Sequence, residues 1–436
     1  MSTPLEHRVP ASRAWPQVRA LVLSALASGL VVAMGGVSTA AGPSVCVAKN
    51  GVTCVAHGDA HCVADAGSKA IAVKGSSAIA TGTSTAKAIN GSSATATLAS
   101  TATARASSTA LADGASTAQA TDGSSATAVL ASTAVAERSS TAHASQDSGA
   151  TATDGSSALA HVDASAVATH GSSAVAGNGA SATASDDSDA RATAGGTAAA
   201  SEGSTAWGSA GTATASQGST AEAFGTSATA TATSGSAASA TTGGTATATA
   251  GSVAAAGNGG VATASDDSTA SALYGGRATA TDASRATATG TATATASHSS
   301  TAGAIDGATA TASNDSAAFA FRGTALALDG STASAERGSA TAIGDSTAIV
   351  YFGGQATATN GSTAEVRHGG TATATDQSTA YASFSSVATA SEGSVAYAPY
   401  ASRATATNGS EARAGVRSCA VATDGAVVVT ADSSGC

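Results

Sequence analysis

The chain has 436 residues, of which 11% are charged and 3% aromatic, and its formal net charge is −10. Globular chains are roughly a quarter charged, so this composition, with so few large apolar side chains, excludes a conventional packed core. The negative charge is mild and dispersed, and without a basic cluster nucleic acid is excluded as a partner.

At the N-terminus, Arg8, Arg13 and Arg19 precede the apolar stretch ALVLSALASGLVVAMGG at 20–36, and the small residues VSTAAG follow it. That order is the order of an export signal, with cleavage after Ala40 or Ala41 and a signal peptide at 1–41. A membrane anchor competes, but Gly and Ser interrupt the segment, which is short for a span of about 20 apolar residues. The expected mature chain is secreted or held at a bacterial cell surface, with no membrane span after signal cleavage.

Residues 42–69 read as N-terminal cap coils, with Cys46, Cys54 and Cys62 at intervals of eight. Residues 419–436 read as a C-terminal cap, with Cys436 sixteen after Ala420 and Cys419 beside that register. An exported chain permits disulfides. Cys46 and Cys62, stacked on neighbouring coils, would fall within the roughly 4.4–6.8 Å Cα separation that a disulfide needs. The pattern predicts Cys46 or Cys54 bonded to Cys62, and Cys419 bonded to Cys436. CVAHGDAHC also gathers Cys54, His57, His61 and Cys62, all zinc-competent types. Alternation sends its cysteines and histidines to different faces, so neither a metal nor any other cofactor is expected.

From Ala70 to Ala206 alanine recurs every eight residues, in the unit A-x-A-x-x-[GSA]-S-[ST]. Five alternating residues suit a strand, and NGS, DGS or GGT supplies turn chemistry. Two octapeptides form the structural unit, because GG pairs at 243–244, 259–260 and 275–276 recur every sixteen. The predicted fold is all-β: a single parallel β-solenoid over 70–418, with two-strand coils of sixteen residues and an alanine-only interior. About 23 coils at roughly 4.8 Å would make a rod on the order of 110 Å long. Disorder is the bland alternative for such low complexity, but register held over more than 300 residues opposes it. One-residue deletions between Ala206 and Ala213, Ala318 and Ala325, and Ala333 and Ala340 predict shortened turns.

Function must lie on the outward positions. On one strand of each coil these are Thr247 and Thr249, Thr279 and Thr281, Thr357 and Thr359, Thr373 and Thr375, and Thr405 and Thr407. Of eighteen rungs from Ala150 to Ala420, fourteen carry Thr at the first outward site. The other strand is heterogeneous and presents Trp207, Phe319, Tyr381 and Tyr397 as a candidate partner face. Regular Thr-x-Thr rows resemble the ice-binding faces of β-helical antifreeze proteins, which implies an alternative role in ice binding. Over most of residues 70–420 the chain also resembles the head repeats of trimeric autotransporter adhesins, β-rolls with S-x-A-x-G strands, although its sixteen-residue unit is longer. That resemblance implies a structural or adhesin-like role against an extracellular or cell-envelope surface. Neither a trimer nor an outer-membrane anchor is carried over from it.

No catalytic constellation is expected. His143, His161, His170, His298 and His368 fall at scattered outward or turn sites, and a flat-sided coil offers no concave pocket. The SDDS turns at 185–188 and 265–268 could attract calcium but lack a calcium-binding nonapeptide pattern, and solvated turns explain them. The sequence points to a non-enzymatic surface protein.

Overall fold

A computed structural model describes residues 30–33, 37–41 and 44–430, and among them every regular element is a β-strand. Most of the expected signal peptide lies outside the described residues, as does Cys436. The chain divides into two compact units, Met1–Val175 and Ala176–Cys436. Each is a parallel β-solenoid in which successive strands alternate between two facing sheets.

In the first unit the strands Ser77–Thr81, Ser93–Thr97 and Thr109–Asp113 pair in parallel, with Ala78, Ala94 and Ala110 as partners sixteen residues apart. The facing sheet stacks Lys69–Val73, Thr85–Ile89 and Thr101–Arg105 in the same register. Alternation puts both alanines of each strand inside, and all are buried. Between strands the chain turns through two consecutive left-handed residues, as at Asn90 (φ 57°) and Gly91 (φ 75°), or Asp266 (φ 54°) and Asp267 (φ 59°). Two positive φ values in succession favour Asn, Asp and Gly, which accounts for NGS, DGS and SDDS without a bound ion.

The interior is not alanine alone. The residue that closes each turn also points inward, and in the first unit it is serine at both corners except at Val52, Ala60 and Ala164, for example Ser84 and Ser100 at one and Ser92 and Ser108 at the other, all buried. These serines join the coils. The backbone N–H of Ser92 donates to Ser108 Oγ, that of Ser108 to Ser124 Oγ and that of Ser124 to Ser140 Oγ, at 3.2–3.3 Å. Ser108 Oγ in turn donates to the Arg105 carbonyl of its own coil at 2.7 Å. A corner N–H sits outside the strand ladder and would be a costly orphan when buried. The hydroxyl supplies its partner.

The second unit keeps one serine corner from Ser188 to Ser410, with the N–H of Ser268 donating to Ser284 Oγ (3.1 Å) and that of Ser284 to Ser300 Oγ (3.2 Å). Its other corner is mostly glycine and alanine. A Cβ on Gly260 would sit 2.6 Å from the Gly244 carbonyl oxygen. Two further interior positions beside this corner depart from alanine. Val350 and Val366 fill interior alanine positions, and a Cβ on Gly354 or Gly370 would meet their Cγ1 atoms at 2.8 and 2.9 Å. The expected shortened turns are present as coils of fifteen, with Thr197 paired to Thr212 and Thr309 to Thr324. The stretch after Gly225 returns the lost residue, since Thr212 pairs with Thr229, seventeen later.

Removing one hydroxyl from the serine file should unpair a buried N–H. Ser284→Ala is expected to cost about 1–3 kcal/mol, against near-neutral Ser299→Ala, which is exposed at the same corner one coil later. Chemical denaturation with hydrogen exchange at the neighbouring coils measures the difference. A second test concerns acid. Burial, reinforced by the charge of His161, holds His143 below the ordinary histidine value. Between that lowered value and about 6.5, the unfolded chain carries the extra proton, so stability falls as pH drops through this window. His143→Thr should therefore show a smaller loss of Tm between pH 7.5 and pH 5 than the native chain.

Candidate binding face

The site with the most chemistry lies on the second unit, on the sheet of heterogeneous outward residues. Strands Thr347–Phe352, Thr363–His368, Thr379–Ala382 and Val395–Tyr400 stack in register there, so that Glu365, Tyr381 and Tyr397 occupy consecutive rungs. A strand spacing of about 4.8 Å brings outward rings into contact. The Tyr381 and Tyr397 centroids are 5.3 Å apart. Burial, reinforced by Tyr397 and the Glu365 carboxylate, holds the Tyr381 phenol above its ordinary range despite the nearby Arg367 charge. It presents a neutral O–H donor.

Beside that column, at the sheet edge, runs a ladder that sequence reasoning missed. Phe352 stacks on His368 (5.4 Å), His368 on Phe384 (5.1 Å) and Phe384 on Tyr400 (5.9 Å). Phe352, Phe384 and Tyr400 are 46–53% exposed. The signal was available, since 352, 368, 384 and 400 are sixteen apart, but it is visible only when the repeat is aligned coil under coil. Charged groups flank and extend the tyrosine column, since Glu365 and Arg413 are rung partners of Tyr381 and Tyr397. Arg367 is held by Glu365 at 2.8 Å and lies 4.8 Å from the Tyr351 ring centroid, while Arg413 binds Glu411 at 2.6 Å.

Phe319 is exposed on the same sheet and walls a shallow cleft of about 400 Å³, lined also by Ile305, Phe321, Ser334, Glu336 and Tyr351. The cleft opens because Gly303 and Ser334, the rung partners of Phe319, are small. Trp207 is elsewhere, packed between the Arg191 guanidinium (4.3 Å) and Phe224 (5.1 Å). The four predicted aromatic residues thus share a sheet but not a site; only Tyr381 and Tyr397 touch.

The threonine face stands on the opposite sheet in the predicted register. Thr247, Thr263, Thr279 and Thr295 are successive partners, as are Thr357, Thr373, Thr389 and Thr405. Thr249, Thr281, Thr359, Thr375 and Thr407 flank them, and all ten predicted threonines are half-buried. Leu326 interrupts the file between Thr311 and Thr341.

At the first coils, Cys54 is bonded to Cys62 across the interior with Cα atoms 5.8 Å apart, and Cys46 is a buried free thiol. Of the two predicted pairings, the directly stacked one, Cys46 with Cys62, is the one not formed. Cys419 is disulfide-bonded. His57 is exposed on the outer side of the sheet, and His61 hydrogen-bonds through Nδ1 to its rung partner Ser77. Cysteines and histidines therefore do face opposite ways, as alternation required.

No family model, no curated protein and no solved structure matches this chain. The resemblances to adhesin heads and to antifreeze proteins rest on the repeat pattern alone.

Proposed function

We propose that this chain is a secreted or surface-exposed, non-enzymatic protein with an adhesin-like role, binding an extracellular or cell-envelope surface through the aromatic ladder of its second unit. The observation that carries this is the run of four stacked, exposed rings from Phe352 to Tyr400, beside the Tyr381–Tyr397 pair. Contiguous exposed aromatic area of this kind marks interaction surfaces, whereas singly scattered apolar residues do not. Aromatic anchors also supply large contact area at little conformational cost. The repeat fold suits the role, because outward columns can change while interior alanines hold the register.

Immobilised cell-envelope fragments and extracellular polysaccharides provide the screen. For any surface that binds, Phe384→Ser with Tyr400→Ser should weaken binding at least tenfold. Tyr274→Ser, a 70% exposed ring outside the ladder, should leave it unchanged. Equal binding by the double variant and the native chain would remove the ladder from consideration.

Ice binding is the alternative, and the unbroken register of Thr247, Thr263, Thr279 and Thr295 favours it. It requires thermal hysteresis and ice-crystal shaping that decline in Thr279→Lys. No hysteresis at high protein concentration retires it.

A further inference from the structure

The first coils contain a cluster that the binding face does not use. Cys46 and Cys62 are rung partners on adjacent strands of one sheet, Val45–Ala48 and His61–Ala64. Cys54 faces them from the strand Thr53–His57 of the other sheet. The three sulfur atoms lie within 4.8 Å of one another, and all three side chains are fully buried. We propose that these three sulfurs form an interior site for one soft, thiophilic cation, occupied in the reduced chain as the alternative to the Cys54–Cys62 bond.

The geometry suits this. Three sulfurs at about 2.3 Å from a central ion stand roughly 4 Å from each other. Cys54 and Cys62, about 2 Å apart while bonded, therefore separate by about 2 Å on reduction, and Cys46, already within 4.8 Å of both, completes the triangle with little movement. Soft thiolate donors select soft cations over magnesium or calcium. With a divalent ion, three thiolates leave a single net negative charge in the interior, which limits the cost of burying them. Ser38 Oγ lies 2.7 Å from Cys46 Sγ and supplies a hydrogen-bonding neighbour to one ligand. Ala48, Ala56 and Ala64 are fully buried beside the cysteines and keep the site dry. His57 is exposed and His61 is engaged with Ser77, so the donor set is sulfur only.

The chemistry balances in two ways. A chain that folds before oxidation binds the cation directly and releases three thiol protons to solvent. An oxidised chain first needs two electrons: a phosphine reduces the Cys54–Cys62 bond to two thiols and, taking oxygen from water, leaves as its oxide.

The test uses the full chain with Cys419→Ser and Cys436→Ser, so that only the first three thiols remain. Reduced with a phosphine and kept anaerobic, it is titrated with cadmium(II) while sulfur-to-metal absorption in the near ultraviolet and strand circular dichroism are followed. Absorption should saturate at one cadmium per chain with the strand signal intact, and the unreduced chain should give none. Cys46→Ala should bind at least tenfold more weakly. It should still fold, because alanine fills the same interior position at Ala78 and Ala94. His57→Ala with His61→Ala should bind as the parent does. Undiminished binding by Cys46→Ala, loss of binding in the histidine variant, a different stoichiometry, or absorption that develops only as strand signal disappears would each overturn the site.

Discussion

Two sheets that meet across paired alanine methyls leave no space for a buried polar group unless its partner is built into the next coil or into its own turn, as the Gly257 carbonyl is for the Gly260 N–H. Strand N–H groups find theirs in the parallel ladder, but the N–H at each turn-closing residue does not. In the first unit both corners solve this mostly with serine, and in the second unit one corner keeps serine from Ser188 to Ser410, although the Ser204 N–H turns instead to the Ser201 carbonyl of its own coil. The hydroxyl accepts from the coil before it and in several coils donates to a carbonyl of its own, as Ser108 does. Alanine burial contributes under about 1 kcal/mol per methyl, against an ordering cost of about 1–2 kcal/mol per residue. Satisfied backbone polarity and close packing, rather than apolar area, distinguish the folded coil from its alternatives.

The same narrowness limits what a corner can hold. At the glycine corner a side chain at 354 or 370 would collide first with the carbonyl of the preceding coil, as it would at Gly260, and then with the methyl of Val350 or Val366. Where three sulfurs replace methyls, their distances are set by the rung spacing between Cys46 and Cys62 and by the sheet separation to Cys54. The fold thus confines unusual chemistry to its first coils and to its outer faces, and nearly all of the variation in the second unit falls on one sheet.

Much of this was legible in the sequence. The period of eight pairing into sixteen, the inward alternation of Ala78 and Ala80, the shortened coils and the shared register of the cysteines follow from spacing alone. Two things did not. Serine at the seventh position looks like turn chemistry, because propensity describes the local backbone and says nothing of which turn residue points inward. The edge ladder hid because Phe352, His368, Phe384 and Tyr400 are chemically unlike one another along the chain and become a single feature only when coils are stacked. The disulfide was narrowed to two pairings but not decided, since spacing fixes which residues are near and not which sulfur atoms face across the interior.

The fifteen-residue coils have a consequence for how such a chain can change over generations. When a residue is lost at a corner, Thr309 still meets Thr324 and Phe319 still meets Ser334, so the outer columns stay aligned. Each coil presents nearly the same interior chemistry to the coil before and the coil after. Slippage during copying of the gene, by one coil's worth of coding sequence, would therefore add or remove a rung without disturbing its neighbours. Protein length and the extent of the ring ladder become quantities that replication error can adjust in whole steps, while the interior is inherited unchanged.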